Sequence, residues 1–100
     1  MAKLAVFGDS ILDKYSFFNS DRTSPEASVP VINDETNEYY LGGAGLVSDK
    51  LIDLGNEVDL YTMIGDSSNS KIFKSLNKGI NIFDFSEKSY DVTIKERIIV

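Results

Sequence analysis

The stretch LGGAGLVSDKLIDLG, residues 41–55, limits most sharply what this chain can become. Gly42 and Gly43 free the backbone and remove side chains where something must approach closely. Ala44, Val47, Leu51 and Leu54 then recur at spacings of three and four, which predicts one apolar face of a helix. Gly55 predicts its C-terminal cap. A glycine turn opening a helix presents unpaired N–H groups, which suit the oxygens of a ligand. A tight loop that merely lets a helix pack on a sheet is the plainer use of the same residues.

Before that turn lies KLAVF, residues 3–7, a short apolar run that reads as a buried strand, central in a parallel sheet. GDSILD follows at residues 8–13. Side chains just past the carboxyl end of such a strand lie where open α/β sheets bind ligands, so Asp9 and Asp13 are candidates to hold polar groups. A turn cap at Asp9 and a solvated Asp13 would fit the spacing equally well. Residues 15–41 have a different character. YSFF, VPVI and ETNEYYL are β-prone pieces separated by turn formers, and Pro25 and Pro30 exclude a helix. They predict a small antiparallel sheet projecting from the main one, placed to cover a ligand at the glycine turn or to pair with another copy.

Past the helix, EVDLYTMIG at residues 57–65 predicts a strand, and Asp66, Ser67 and Ser68 supply N-cap chemistry. Ile72, Phe73 and Leu76 give a short helix its apolar face, with Gly79 at its end, and INIFDF at residues 80–85 predicts the next strand. The order predicts an α/β fold with a parallel sheet. In residues 92–100, Val92, Ile94, Ile98 and Val100 alternate with Thr93, Lys95 and Arg97, and Glu96 interrupts the apolar face. This reads as a half-exposed strand beside the flap, its cationic face toward solvent or an anionic ligand. Three parallel strands with one or two helices make an incomplete layer, so the chain is expected to be part of a longer protein or to complete itself with another chain.

Composition narrows the chemistry. The chain has 100 residues, a formal net charge of −6 and no basic cluster, which argues against nucleic acid or an anionic membrane as partner. No apolar run approaches a membrane span, and a cytoplasmic setting is expected. There is no cysteine and no histidine, so chemistry here falls to carboxylates, hydroxyls, lysine, arginine and backbone. FGDSILD looks like the first block of the GDSL esterases, with Ser10 as nucleophile, but that chemistry needs a base that this chain does not hold. GAGLVS, residues 43–48, approaches the dinucleotide fingerprint with Ser48 at the third glycine, after a stretch too polar for the required strand.

GDSILDKY, DRTSPEASVPV, LGGAG, LG before the next strand, IGD after it and TIKER near the end occur in one order. In that order the sequence resembles the ribokinase-like sugar kinases of the phosphofructokinase-B type. Within them it is most similar to the heptose-7-phosphate kinase domain of the bifunctional enzyme that makes the ADP-heptose precursor of lipopolysaccharide. The resemblance spans residues 1–100 and implies the N-terminal part of a ribokinase-like, Rossmann-like three-layer fold, with residues 14–41 and 91–100 as lid strands. It implies that Asp13 binds sugar hydroxyls, with Asp9 in support. Gly42 and Gly43 would let the sugar lie against backbone, and Lys95 and Arg97 would sit beside a phosphate. It implies a sugar or sugar-phosphate substrate, ATP and Mg2+ in the full-length parent, and a homodimer through the lid strands. The catalytic aspartate and ATP site of the family lie downstream of these residues. Two positions depart from the pattern. Leu46 stands where the family carries an asparagine that contacts sugar, and Ser70 where it usually has glycine. A truncated, non-catalytic paralogue that dimerises through its lid is the alternative.

Overall fold

A computed structural model describes residues 2–19, 22–23, 30–31 and 34–100. Pro25, and with it most of the SPEASVPV motif, lies outside the described residues. Strands β1 (Lys3–Phe7), β6 (Glu57–Thr62) and β7 (Asn81–Asp84) form a parallel sheet in the order β1-β6-β7. The parallel sheet is as expected, but its centre is not β1. Strand β6 is central and buries Val58, Leu60 and Thr62, whereas β1 is at the edge and leaves Phe7 73% exposed. One face of this sheet carries an aromatic stack: the Tyr61 ring lies 4.6 Å from Phe7 and 4.9 Å from Phe83, nearly parallel to both.

Strands β2 (Ser10–Asn19), β5 (Asp34–Gly43) and β8 (Thr93–Ile99) form a second sheet, in the order β5-β2-β8. Strands β2 and β5 pair antiparallel over ten residues, while β8 joins β2 in parallel. The flap is therefore mixed rather than purely antiparallel, and the strand that leads into it, β2, already begins at Ser10. A further short pair, β3 (Arg22–Thr23) and β4 (Pro30–Val31), is antiparallel. Strand β8 does sit beside the flap, but it is exposed throughout rather than half buried. Val92, which precedes β8, is the residue of its alternating set that reaches the core, at 2% exposure.

Helix α1 (Ala44–Asp53) begins where predicted, but its inward face differs. Val47 and Leu54 are exposed, and Gly45 and Ser48 are buried in their place. The cause is close approach: a Cβ on Gly45 would lie 2.7 Å from the Phe73 ring, so only a glycine lets this face dock. Ser48 turns its hydroxyl back onto the Ala44 carbonyl at 2.8 Å and so hides its polarity inside the helix. Gly55, with φ +91°, ends α1 as predicted: its N–H donates to the Ile52 carbonyl and that of Asn56 to the Leu51 carbonyl, the paired bonds of a Schellman cap. Helix α2 (Ser68–Ser75) is capped by Ser67, whose hydroxyl accepts from the Ser70 N–H at 3.0 Å. It ends at Leu76, ahead of the expected Gly79. Leu12 and Leu41 of the second sheet, Leu60 of the first, Ile64 just after β6, Ile80 just before β7, Phe73 of α2 and Val92 share one core. That shared core fixes the angle between the two sheets.

The turn after β6 is clamped by Asp84. Its carboxylate accepts from the Ile64 N–H at 3.1 Å, the Gly65 N–H at 3.0 Å and the Ser86 N–H at 2.9 Å. Burial pushes this carboxyl up, but the bonds from Ser86, Gly65 and Ile64 outweigh it and hold the pKa at about 2, below the ordinary 3.8. A carboxyl lowered on folding stabilises the fold above its unfolded pKa, and that contribution is lost as pH falls through the folded value. Asp84→Asn is therefore expected to lower the urea midpoint near neutral pH. The gap from wild type should narrow as pH falls from 3.8 through about 2. A gap independent of pH would show that the charge does not hold the turn.

Candidate functional site

Strand β2 sends alternate side chains to opposite faces of the second sheet. Ile11, Asp13, Tyr15 and Phe17 share one face. The pairing register puts Gly42, Tyr40, Glu38 and Thr36 of β5 beside them, and Thr93, Lys95, Arg97 and Ile99 of β8 on the other side. Two ring contacts fix this arrangement. Arg97 lies 5.9 Å over the Tyr15 ring, and Tyr15 meets Tyr40 edge-on at 5.7 Å. Asp13, Tyr15, Phe17, Glu38, Tyr40, Leu41 and Ile99, with Leu46 from α1, line an open hollow of about 500 Å³. The Tyr40 hydroxyl donates to Glu38 Oε2 at 3.1 Å, and this bond, with the Glu38 charge, raises the phenol's pKa.

The glycine pair stands at the junction of this sheet and α1. Each glycine serves a separate geometric need. A Cβ on Gly42 would lie 2.8 Å from Asp13 Oδ2, so the missing side chain makes room for that carboxylate. Gly43 has φ +57°, and a Cβ there would overlap the Asp9 carbonyl oxygen, which accepts the Ala44 N–H at 2.8 Å. The close approach expected at these glycines is thus made first by the chain's own two aspartates.

The predicted site residues separate into two groups. Asp13 lines the hollow with its carboxylate in the space that a side chain on Gly42 would take, Gly43 follows in the chain, and Lys95 and Arg97 lie on the same sheet face, Lys95 directly in register with Asp13. Asp9 does not join them. Its exposed side chain borders a different hollow with Phe7, Tyr61, Met63 and Phe85, and its link to α1 is through backbone. Ser10 cannot serve as a nucleophile in this fold: it is 1% exposed, and its hydroxyl is bonded to that of Thr62 at 2.8 Å. Ser70 is buried at the turn that leads into α2. It donates to the Ile64 carbonyl at 2.6 Å and ties that turn to Ser67, which also bonds Asp91.

Sequence reasoning missed Tyr15, Glu38 and Tyr40. Their signal was the period of two along β2 and β5, which is plain only once both are read as ten-residue strands rather than short pieces. Among the described residues, no group of three or more acidic side chains gathers that could hold a metal ion. No helix among them is long and apolar enough to cross a membrane.

No family profile matches the chain. It is 37% identical over 100 residues to the bifunctional protein HldE of Campylobacter concisus, covering 97% of this chain and 21% of that protein. It is 40% identical over 104 residues to the bifunctional protein HldE of Helicobacter acinonychis, covering all of this chain and 22% of that one. The chain thus spans about a fifth of the length of these curated relatives. Among solved structures, a carbohydrate kinase from Agrobacterium tumefaciens superimposes with a TM-score of 0.76 at 22% identity, over 98% of this chain and 31% of that one. By sequence the chain belongs with the N-terminal part of the bifunctional HldE proteins, and by fold with the ribokinase-like carbohydrate kinases of the PfkB type.

Proposed function

We propose that this chain is the sugar-side part of an ATP-dependent carbohydrate kinase that, as a complete protein, phosphorylates a heptose phosphate or a related sugar. The observation that carries the reading is the contact of Gly42 with the Asp13 carboxylate, on the wall of an open hollow and on one sheet face with Lys95 and Arg97. A carboxylate accepts hydrogen bonds from two neighbouring hydroxyls at once, which suits a vicinal diol. Lys95 and Arg97 supply positive charge on the same face for a phosphate already on the sugar. Asp13 would orient the acceptor, and strands β2, β5 and β8 would form the lid that excludes water from the transfer. Asp9 would act through its carbonyl, which anchors the first turn of α1 beside the sugar. ATP and Mg2+ would be held by later parts of the full-length protein and supply the phosphoryl group and its charge neutralisation.

A homodimer through the lid strands is part of the same proposal, favoured by the exposed Ile98, Ile99 and Val100 at the β8 edge. Gly42→Ala tests the reading in the protein produced from its own gene. Its Cβ would push against the movable end of Asp13 rather than against backbone, so the melting temperature should change little. Turnover of sugar phosphate should fall about tenfold or more as the carboxylate is displaced. Unchanged turnover in a folded Gly42→Ala protein would remove Asp13 from the sugar site.

A further inference from the structure

We infer that Lys14 and Glu96 form a register key, which holds β8 in the one pairing with β2 that presents Lys95 and Arg97 to the hollow. The inference rests on the sugar-kinase reading above. Strand β8 is exposed along its whole length, so burial does not dictate how it pairs. Its charges do. Asp13 and Lys14 of β2 face Lys95 and Glu96 of β8 in turn, so opposite charges meet at both positions, on opposite faces of the sheet. On the face away from the hollow, Glu96 Oε2 lies 3.3 Å from Lys14 Nζ and accepts from the Ser16 hydroxyl at 2.8 Å. Ser16 is fully buried, so that bond also satisfies a hydroxyl shut off from water. Glu96, which interrupts the apolar alternation of β8, thus has two partners on β2.

Each neighbouring pairing is worse. Advancing β8 by one residue sets Glu96 against Asp13 and Arg97 against Lys14, like charges at both positions. A slip of one the other way sets Lys95 against Lys14 and leaves Ile94 opposite Asp13. Either slip would carry Lys95 and Arg97 to the far face and bring Glu96 into the hollow. A slip of two keeps the faces but puts Ile94 or Ile98 against Lys14. Val92, buried in the core, fixes where β8 starts, but one bulged residue after it would shift all that follow. An exposed ion pair adds little stability, so the weight of this one lies in the pairings it excludes. Glu96 faces away from the hollow and acts through Lys95 and Arg97, as a positioning residue.

The test uses the protein produced from its own gene, with ATP and either heptose 7-phosphate or the same heptose without its phosphate. Glu96→Lys sets like charges opposite each other and removes the preference for the native register. A one-residue advance then puts Ile98 in the place of Arg97 beside Tyr15. The KM for heptose 7-phosphate should rise about tenfold as the phosphate loses a charge-assisted bond. The KM for ATP and for the unphosphorylated sugar should hold. The double variant Lys14→Glu, Glu96→Lys again sets opposite charges face to face and should regain the wild-type melting temperature. Its run of three bases at 95–97 suits the advanced pairing as well as the native one, so its KM for heptose 7-phosphate should stay raised. Should Glu96→Lys leave that KM unchanged, or the double variant recover it together with the melting temperature, the inference falls and the kinase reading stands. Should the wild-type protein turn over no sugar phosphate, both fall.

Discussion

Gly65→Ala is expected to unfold this protein or bring it close to unfolding. Gly65 has φ +86°, a backbone region that costs an L side chain about 1–3 kcal/mol. Its new Cβ would also overlap the carbonyl oxygen of Tyr90 and lie 2.9 Å from that carbonyl's carbon. Both obstacles are backbone, so no rotamer change relieves them. The turn cannot simply move away either. Gly65 bridges Asp91, and Asp84 grips the N–H groups of Ile64 and Gly65. A loss above about 3 kcal/mol is expected, a large share of the roughly 5–15 kcal/mol that holds an ordinary domain together. Urea denaturation reads it directly, with Gly79→Ala as control, since a Cβ on Gly79 meets nothing within 4 Å. Equal midpoints for the two variants would show that the turn after β6 is not held as described.

Asp13→Asn is expected to produce the largest functional loss. The carboxylate offers acceptors only, and the amide replaces one of them with a donor that faces the sugar's own hydroxyl donors. Hydrogen bonds to charged groups contribute about 1.5–3 kcal/mol, so kcat/KM for the sugar should drop on the order of ten- to a hundredfold per bond lost. The side chain faces the hollow rather than the core, so the melting temperature and the KM for ATP should hold nearly steady. A matching loss in both substrates' constants would instead indicate damage to the fold.

Much of the frame was legible because local signals agreed with one another. The positive φ of Gly43 and Gly55, the Ser67 cap and the buried Phe73 each follow from residue type and spacing. What misled was the assumption that the most apolar residues of a helix face inward. In α1 the close approach of Phe73 is met by Gly45, and Ser48 is buried on the inward side with it, so Val47 and Leu54 are left outside. Periodicity of hydrophobicity cannot report how near two elements come. KLAVF is apolar enough for a central strand, but pairing order is not a local property, and among the described strands β6 lies between β1 and β7.

Of the candidate site, the motifs marked Asp13, Gly42 and Gly43 as candidates, but the register of β2 with β8, which brings Lys95 to Asp13 across 82 residues of sequence, is a relation no local pattern contains. Asp9 shares the motif of Asp13 four residues on, yet it belongs to the loop before β2 and opens onto another hollow, a separation that spacing alone does not show.

A crystal structure of the protein produced from its own gene with heptose 7-phosphate bound is expected to place the sugar on the Asp13 face of the second sheet, with hydroxyls on the Asp13 carboxylate, the ring against Gly42 and Gly43, and the phosphate toward Lys95 and Arg97. A sugar bound elsewhere, with Asp13 facing only solvent, would remove this face from the sugar site.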